Sequence, residues 1–241
     1  MKTLILAGGL GTRLQSVVAD RPKPMADVKG RPFLEYQIAQ LRSQGFAEIV
    51  LCVGHRAEQI QKYFGTGHRW GMHIAYAVES ELLGTAGAIQ NAAHFITRTF
   101  LVLNGDSYLE ADLQALVSFH RQHRSSDPRT LGTIATVAVE DAASYGTLEL
   151  DEEGHILRFR EKYSTGAGWI NGGLYVLEPD ILSLIPAGRP VSIEKETFPL
   201  ALESGWHLYS YPVQGFFVDI GTPEGYERFC RYVEREVRSN K

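Results

Sequence analysis

The chain has 241 residues, 44% hydrophobic and 22% charged, with a formal net charge of −4; this fits one large globular α/β domain and excludes a generally basic surface for nucleic acid or an anionic membrane. A bound polyanion must therefore be held by a local group of cations. Two cysteines, Cys52 in an apolar run and Cys230 in a helical tail, form neither a disulfide framework nor a metal-ligand spacing, and without a signal peptide or an apolar stretch of about 18 residues the expected setting is the cytoplasm, with both thiols reduced.

Residues 2–7 read as the first strand, which runs into the glycine-rich turn Gly8-Gly9-Leu10-Gly11-Thr12-Arg13. Glycine lets backbone N–H groups approach phosphate oxygens because no Cβ intervenes and positive φ is open to it. The turn is neither a Walker A loop nor a G-x-G-x-x-G dinucleotide loop. It carries Arg13, and ten residues later Lys23 stands between Pro22 and Pro24. A planar fork of donors and a compact point charge suit a triphosphate gripped at two places; a tight turn with two solvated cations is the competing reading.

Next come an amphipathic helix over 33–45, a strand over Glu48–Val53, a helix over 55–64, a strand over 72–78, a helix over 84–96, a strand over 99–103 and a helix over 111–123. Strands alternating with helices imply βαβ units in a mainly parallel sheet, with ligands at the carboxyl ends of the strands. Both the glycine turn and Asn104-Gly105-Asp106 fall at such ends. The second half changes rhythm: 131–139, 146–150, 156–159 and 170–177 are strand-like, 151–154 is a hairpin signal, and 222–238 closes the chain as a helix. Residues 125–129 read as a surface loop. No proline- or serine-rich spacer separates the halves, about 1–125 and 126–241.

Asp106 ends an apolar strand, and Asp219 ends the run Phe216-Phe217-Val218. Two isolated carboxylates at strand ends match a Mg²⁺ site that uses one or two carboxylates plus substrate phosphates. Asp219, before Gly221-Thr222-Pro223, is also open to a capping role; its partnership with a phosphate loop favours the metal.

Leu6-Ala7-Gly8-Gly9-Leu10-Gly11-Thr12-Arg13-Leu14 with Pro22-Lys23-Pro24-Met25 resembles the signature of the sugar-1-phosphate nucleotidyltransferases, the NDP-sugar pyrophosphorylases, and the resemblance extends over nearly the whole chain. It implies a single α/β domain, a Rossmann-like three-layer sandwich with a mixed, mainly parallel sheet, its first half taking the nucleotide and its second the sugar phosphate. It also implies that Leu6, Ala7, Gly8, Gly9, Gly11, Thr12 and Arg13 bind the nucleoside triphosphate, that Lys23 contacts phosphates at the reacting centre, and that Asp106 and Asp219 hold Mg²⁺. Lys162 of the Glu161-Lys162 pair is implied on the sugar phosphate, with Gly105, Glu161, Asn171, Gly172 and Glu194 around the sugar. A solvated Lys162 and an exposed helical Glu194 are the bland alternatives.

The segment Glu79-Ser80-Glu81-Leu82-Leu83-Gly84-Thr85-Ala86-Gly87 resembles the family's base-recognition loop, which places Glu79, Gly84 and Thr85 on the nucleotide. An ionised carboxylate only accepts hydrogen bonds. Guanine offers two adjacent donors, N1–H and the N2 amino group, whereas uracil offers one, so GTP fits best. A glutamate there also occurs in uridylyltransferase relatives, which keeps UTP open. The expected reaction is in-line attack of a sugar 1-phosphate on the α-phosphorus, with pyrophosphate leaving.

The mannose-like guanine loop on a short chain resembles the D-glycero-α-D-manno-heptose 1-phosphate guanylyltransferases of bacterial surface-polysaccharide pathways. Mannose 1-phosphate, or uridylyl transfer to a hexose or amino-sugar phosphate, stays open. The hexapeptide repeats of some relatives are not found, so a minimal catalytic unit is expected. A glycosyltransferase would show an Asp-x-Asp pair where Asn104-Gly105-Asp106 has one acid; a non-catalytic sugar-nucleotide sensor would lack Arg13, Lys23 or a metal aspartate. The frequency of two-fold assemblies makes a homodimer the default expectation.

Overall fold

Three apolar runs of the first half, Lys2–Leu6, Glu48–Val53 and Phe100–Asn104, become strands buried on both faces, the arrangement in which parallel sheets are found. A computed structural model describes residues 1–11, 14, 20–143, 145–160 and 166–239. In chain order the first half contains β1 (Lys2–Leu6), the hairpin β2 (Asp27–Val28) and β3 (Arg31–Pro32), α1 (Phe33–Ser43), β4 (Glu48–Val53), α2 (Ala57–Phe64), β5 (His73–Val78), α3 (Gly84–Asn91), β6 (Phe100–Asn104), β7 (Ser107–Leu109) and α4 (Leu113–Ser126). The second half contains β8 (Thr130–Val139), β9 (Thr147–Leu150), β10 (Ile156–Arg160), β11 (Gly168–Leu177), α5 (Phe198–Glu203), β12 (His207–Pro212), β13 (Phe217–Asp219) and α6 (Pro223–Ser239).

One sheet runs through both halves in the order β10-β9-β11-β6-β1-β4-β5, with β8 also pairing β11 and β12 pairing β8. The strands β6, β1, β4 and β5 are mutually parallel, β11 runs antiparallel to β6, β8 and β9, and β12 is parallel to β8. The expected mixed α/β sandwich is thus present. Alternate residues of one strand go to opposite layers, as period 2 requires. Ile5, Leu51 and Leu103 pack with Leu34 and Ile38 of α1, Ile60 of α2 and Leu116 of α4. Leu4, Val50 and Val102 pack on the other face with Ile89 of α3 and Phe198 of α5. A third cluster seats Phe229 and Val233 of α6 against Phe33, Val218 and Ile220.

Differences from the expected elements are local. Helix α2 starts at Ala57, after Arg56 takes a left-handed turn with φ 56°, and the helix expected to reach residue 96 stops at Asn91 before a separate 3₁₀ turn, Ala93–Phe95. The strand β12 was not legible, because its residues show no polar–apolar alternation and end in Pro212, which only an edge position accepts. Cys52 is buried and Cys230 half-buried, both as free thiols. Among the described residues no helix is long and apolar enough to cross a membrane.

Candidate active site

Because β1, β4, β5 and β6 are parallel, the turns that follow them gather at one edge of the sheet, and those after β1, β5 and β6 line a cleft of about 1070 Å³. Glycines let those turns touch. A Cβ on Gly54, after β4, would lie 3.0 Å from the carbonyl oxygen of Gly8, and one on Gly105, after β6, would lie 2.5 Å from that of Leu6. The Gly105 N–H donates to the same Leu6 oxygen at 3.0 Å. Gly105→Ala must therefore separate the ends of β1 and β6, and a thermal melt is expected to show a loss of about 1–3 kcal/mol, the usual cost of overpacking. Gly9→Ala is the control, since nothing lies within 4 Å of its added Cβ.

The second half completes the walls. Asn171 comes from β11, Glu194 and Lys195 from the single π-helical turn Ile193–Thr197 that leads into α5, and Asp219 from the end of β13. Leu6, Ala7, Gly8, Gly9, Gly11, Lys23, Glu79, Gly84, Thr85, Gly105, Asp106, Asn171, Glu194 and Asp219 all line the cleft. Thr12, Arg13, Glu161 and Lys162 lie outside the described residues. Gly172 is set off the cleft: a Cβ there would lie 2.7 Å from Leu109 Cδ2 and 2.9 Å from the Ala135 oxygen. The glycine expected beside the sugar is instead explained by the crossing of β11 over β7 and β8, where the register shifts between Asn171 and Tyr175.

The two aspartates, 113 residues apart (219 − 106), meet because β13 pairs antiparallel with β7, which places Asp219 opposite Ser107. The Ile220 N–H donates to the Asp106 carbonyl at 2.9 Å. Between the two carboxylates stands Lys23, only 8% exposed, its Nζ 2.8 Å from Asp106 Oδ2 and 4.0 Å from Asp219 Oδ1. Lys23 opens a 3₁₀ turn, Lys23–Met25, in which Pro22 before it and Pro24 after it restrict φ, and the loop glycine Gly11, at φ +63°, packs against the Lys23 stem. The residues fit a divalent metal: two carboxylates converge on one cationic point and remain open to the cleft, and their hard oxygens suit Mg²⁺, which completes its shell with water and phosphate oxygens.

Glu79 follows β5, anchored by its N–H to the Val53 oxygen at 2.8 Å. Its side chain is turned inward, the residue being 8% exposed, with Oε2 accepting from the Leu83 N–H at 3.1 Å. The carboxylate lies over Gly8, where an added Cβ would be 2.6 Å from Oε1. Burial pushes the Glu79 carboxyl above the ordinary glutamate value, a shift that the Leu83 N–H opposes. Gly84 takes φ +70° hard against the Val191 backbone, and Thr85 accepts from the Ile193 N–H at 2.8 Å, so the loop that follows Glu79 is tied to the turn that carries Glu194.

On the opposite wall Tyr175 OH donates to Glu194 Oε1 at 3.0 Å, and Asn171 Nδ2 donates to Tyr175 OH at 2.9 Å and to Glu194 Oε1 at 3.2 Å. Burial pushes the Glu194 carboxyl up and the Tyr175 hydroxyl well up. Sequence reasoning missed Tyr175, although its place four residues after Asn171 on one strand is a same-face spacing. It also missed Tyr145, Arg160 and Lys195 in the lining; Lys195 beside Glu194 and Arg160 beside Glu161 were the available signals.

A family model described as Nucleotidyl transferase matches residues 2–236 of the chain. The mannose-1-phosphate guanylyltransferase of Mycobacterium tuberculosis is 36% identical over 93% of this chain and 62% of the relative. The UTP–glucose-1-phosphate uridylyltransferase of Synechocystis is 34% identical over 99% of this chain and 65% of the relative. The chain thus spans a little under two thirds of those two relatives. The D-glycero-alpha-D-manno-heptose 1-phosphate guanylyltransferase of Campylobacter jejuni is 35% identical over 95% of this chain and 98% of the relative. Among solved structures, HddC from Yersinia pseudotuberculosis complexed with GMP-PN is similar with a TM-score of 0.82 at 34% identity, covering 96% of this chain and 99% of that one.

Proposed function

The chain belongs to the nucleotidyl transferase family, and from that premise we propose that it transfers a guanylyl group from GTP to D-glycero-α-D-manno-heptose 1-phosphate, releasing pyrophosphate. The observation that carries the choice of base is Glu79, a buried carboxylate on the cleft wall with one oxygen held by Leu83 and the other over Gly8. When ionised it offers acceptors alone, the complement of the adjacent N1–H and N2 donors of guanine. The heptose acceptor is supported by likeness to the Campylobacter heptose 1-phosphate guanylyltransferase, which this chain matches almost end to end. Uridylyl transfer is the second reading, favoured by the Synechocystis relative.

The attacking phosphate oxygen is already ionised near neutral pH, so the reaction needs no general base. Catalysis then rests on alignment of two anions and on neutralising the charge that builds up on the transferred phosphate. The Gly8–Gly11 backbone cradles the triphosphate, Glu79 orients the base, and Asn171 and Glu194 face the sugar hydroxyls from the other wall. Lys23, and Lys162 from outside the described residues, offset repulsion between nucleophile and nucleotide, and Arg13, also outside them, stabilises the departing pyrophosphate. Mg²⁺ held by Asp106 and Asp219 would supply further charge neutralisation at the transferred phosphate.

Pyrophosphate release with Mg²⁺, measured across GTP, UTP, dTTP, CTP and ATP against heptose, mannose and glucose 1-phosphates, tests this reading. Turnover confined to GTP and the heptose phosphate is the expected result. Turnover with UTP sinks the base argument, turnover with mannose 1-phosphate sinks the choice of sugar, and binding without turnover means a sensor. A pH dependence follows as well. Because burial raises the Glu79 pKa, the carboxyl gains a proton at a higher pH than an ordinary glutamate. As pH falls through that value Glu79 loses acceptor capacity, so the KM for GTP rises. GTP favours the ionised form, so its binding releases a proton in that range, which calorimetry in buffers of different ionisation enthalpy detects.

A further inference from the structure

Gln37, Gln40 and Gln44 are spaced by three and four residues, which sets them along one stripe of α1 and its C-terminal end. Together they hold the backbone that runs from the end of β6 to the start of α4. Gln37 Nε2 donates to the Asn104 oxygen at 2.8 Å and to the Ser107 oxygen at 2.7 Å. Gln40 Nε2 donates to the Leu109 oxygen at 2.8 Å. Gln44 Nε2 donates to the Ala111 oxygen at 2.9 Å, and its Oε1 accepts from the Leu113 N–H at 2.7 Å. The glutamines act as a template for a segment that lacks a continuous ladder of its own.

Gln37 differs from the other two in what it grips. Asp106 lies between the two residues whose carbonyls share the Gln37 amide, so one NH₂ group draws both ends of the Asp106 turn to the same point. Gln37 is 1% exposed and is not among the residues lining the cleft. Its Oε1 is buried with no hydrogen-bond partner among the described residues, so the donor end alone engages the turn. Without that donor two carbonyl dipoles converge unscreened, and the turn relieves them by opening. Other ties, Gly105 N–H to Leu6 and Ile220 N–H to the Asp106 oxygen, hold the backbone of the turn, and Lys23 Nζ and Ser107 Oγ donate to the Asp106 carboxylate at 2.8 and 3.4 Å.

We propose that Gln37 is a positioning residue that holds the Asp106 carboxylate in the geometry needed for divalent-metal binding at the Lys23–Asp106–Asp219 cluster, a role that rests on the metal reading of that cluster. Groups that orient metal ligands from behind typically change metal affinity by roughly 10- to 100-fold when removed. Gln37→Met keeps the side-chain length and deletes the donor.

Mn²⁺ binding to the protein with GTP and no sugar phosphate, followed by electron paramagnetic resonance, reads the effect without turnover. The expected result is Mn²⁺ affinity lower by roughly 10- to 100-fold, faster amide exchange across residues 104–109, and a fall in kcat/KM for GTP. Gln40→Met, the same bond type one turn further from Asp106, is expected to bind Mn²⁺ as the wild type does. Where Gln37→Met does not fold, Gln37→Leu, which also lacks the donor and sets no charge against the Asn104 and Ser107 carbonyls, carries the test. Unchanged Mn²⁺ affinity in a folded Gln37 variant overturns the inference, as does an equal loss in Gln40→Met. Wild-type protein that binds no Mn²⁺ with GTP overturns the metal reading itself, and the positioning role with it.

Discussion

Lys23→Met is expected to lower turnover by about 100- to 1,000-fold, the range seen when a single charge-stabilising contact is deleted, while tightening binding of a divalent cation in the absence of nucleotide. The two effects have one cause. Lys23 Nζ sits 2.8 Å from Asp106 and 4.0 Å from Asp219, so before substrate arrives it is the counter-cation of both carboxylates and competes with a metal for them. In the proposed reaction the same ammonium offsets anionic charge at the reacting centre once phosphates enter. Removing it leaves two carboxylates facing each other, a stronger cation site and a poorer catalyst. Steady-state pyrophosphate release and Mn²⁺ titration of the free protein check the two halves. Unchanged turnover would sink the catalytic role, and weakened Mn²⁺ binding would show that Lys23 supports the carboxylates rather than competing for their ligand.

Glu79→Gln is the second large effect. The carboxylate accepts twice, whereas the amide puts an N–H₂ where one of the guanine donors must bond. Facing donor to donor in a buried site costs the unsatisfied group about 1–3 kcal/mol, roughly 5- to 150-fold in kcat/KM for GTP. The same amide donates and accepts, the pattern that uracil and thymine present, so activity with UTP or dTTP is expected to rise. Because Oε2 accepts from the Leu83 N–H at 3.1 Å, the variant keeps its fold only with the amide oxygen on that side, which directs the new NH₂ toward Gly8 and the cleft. A competition assay with mixed nucleotides reads the switch directly. Equal losses for all nucleotides would mean that Glu79 shapes the loop and does not read the base.

Much of the site was legible because its signals are local. Gly8 to Gly11, Lys23 between two prolines, Asp106 at a strand end and Glu79 before Gly84-Thr85 each carry their chemistry in adjacent residues, and all line one cleft. Gly172 is set beside the sugar by the family resemblance, and a glycine there only signals that something approaches closely. Which partner approaches is a property of the fold, and here it is Leu109 and the backbone of β8. Tyr175 and Gln37 were missed for a related reason: a buried polar side chain is defined by the partner that satisfies it, and those partners lie 19 residues from Tyr175, at Glu194, and 67 and 70 residues from Gln37.

By itself, then, the sequence determined the strand–helix alternation, the position of the phosphate loop and the residue types available for a nucleotide and a metal, because hydrophobic period, glycine turns and charge are written within a few residues of one another. Only the tertiary structure decided how the expected pair Asp106 and Asp219 meets, through the β7–β13 pairing, that Lys23 bridges the two, and that Asn171, Tyr175 and Glu194 form one hydrogen-bonded wall. Strand pairing and the burial of polar groups are set by contacts between distant segments, and their free energy appears only when those segments meet.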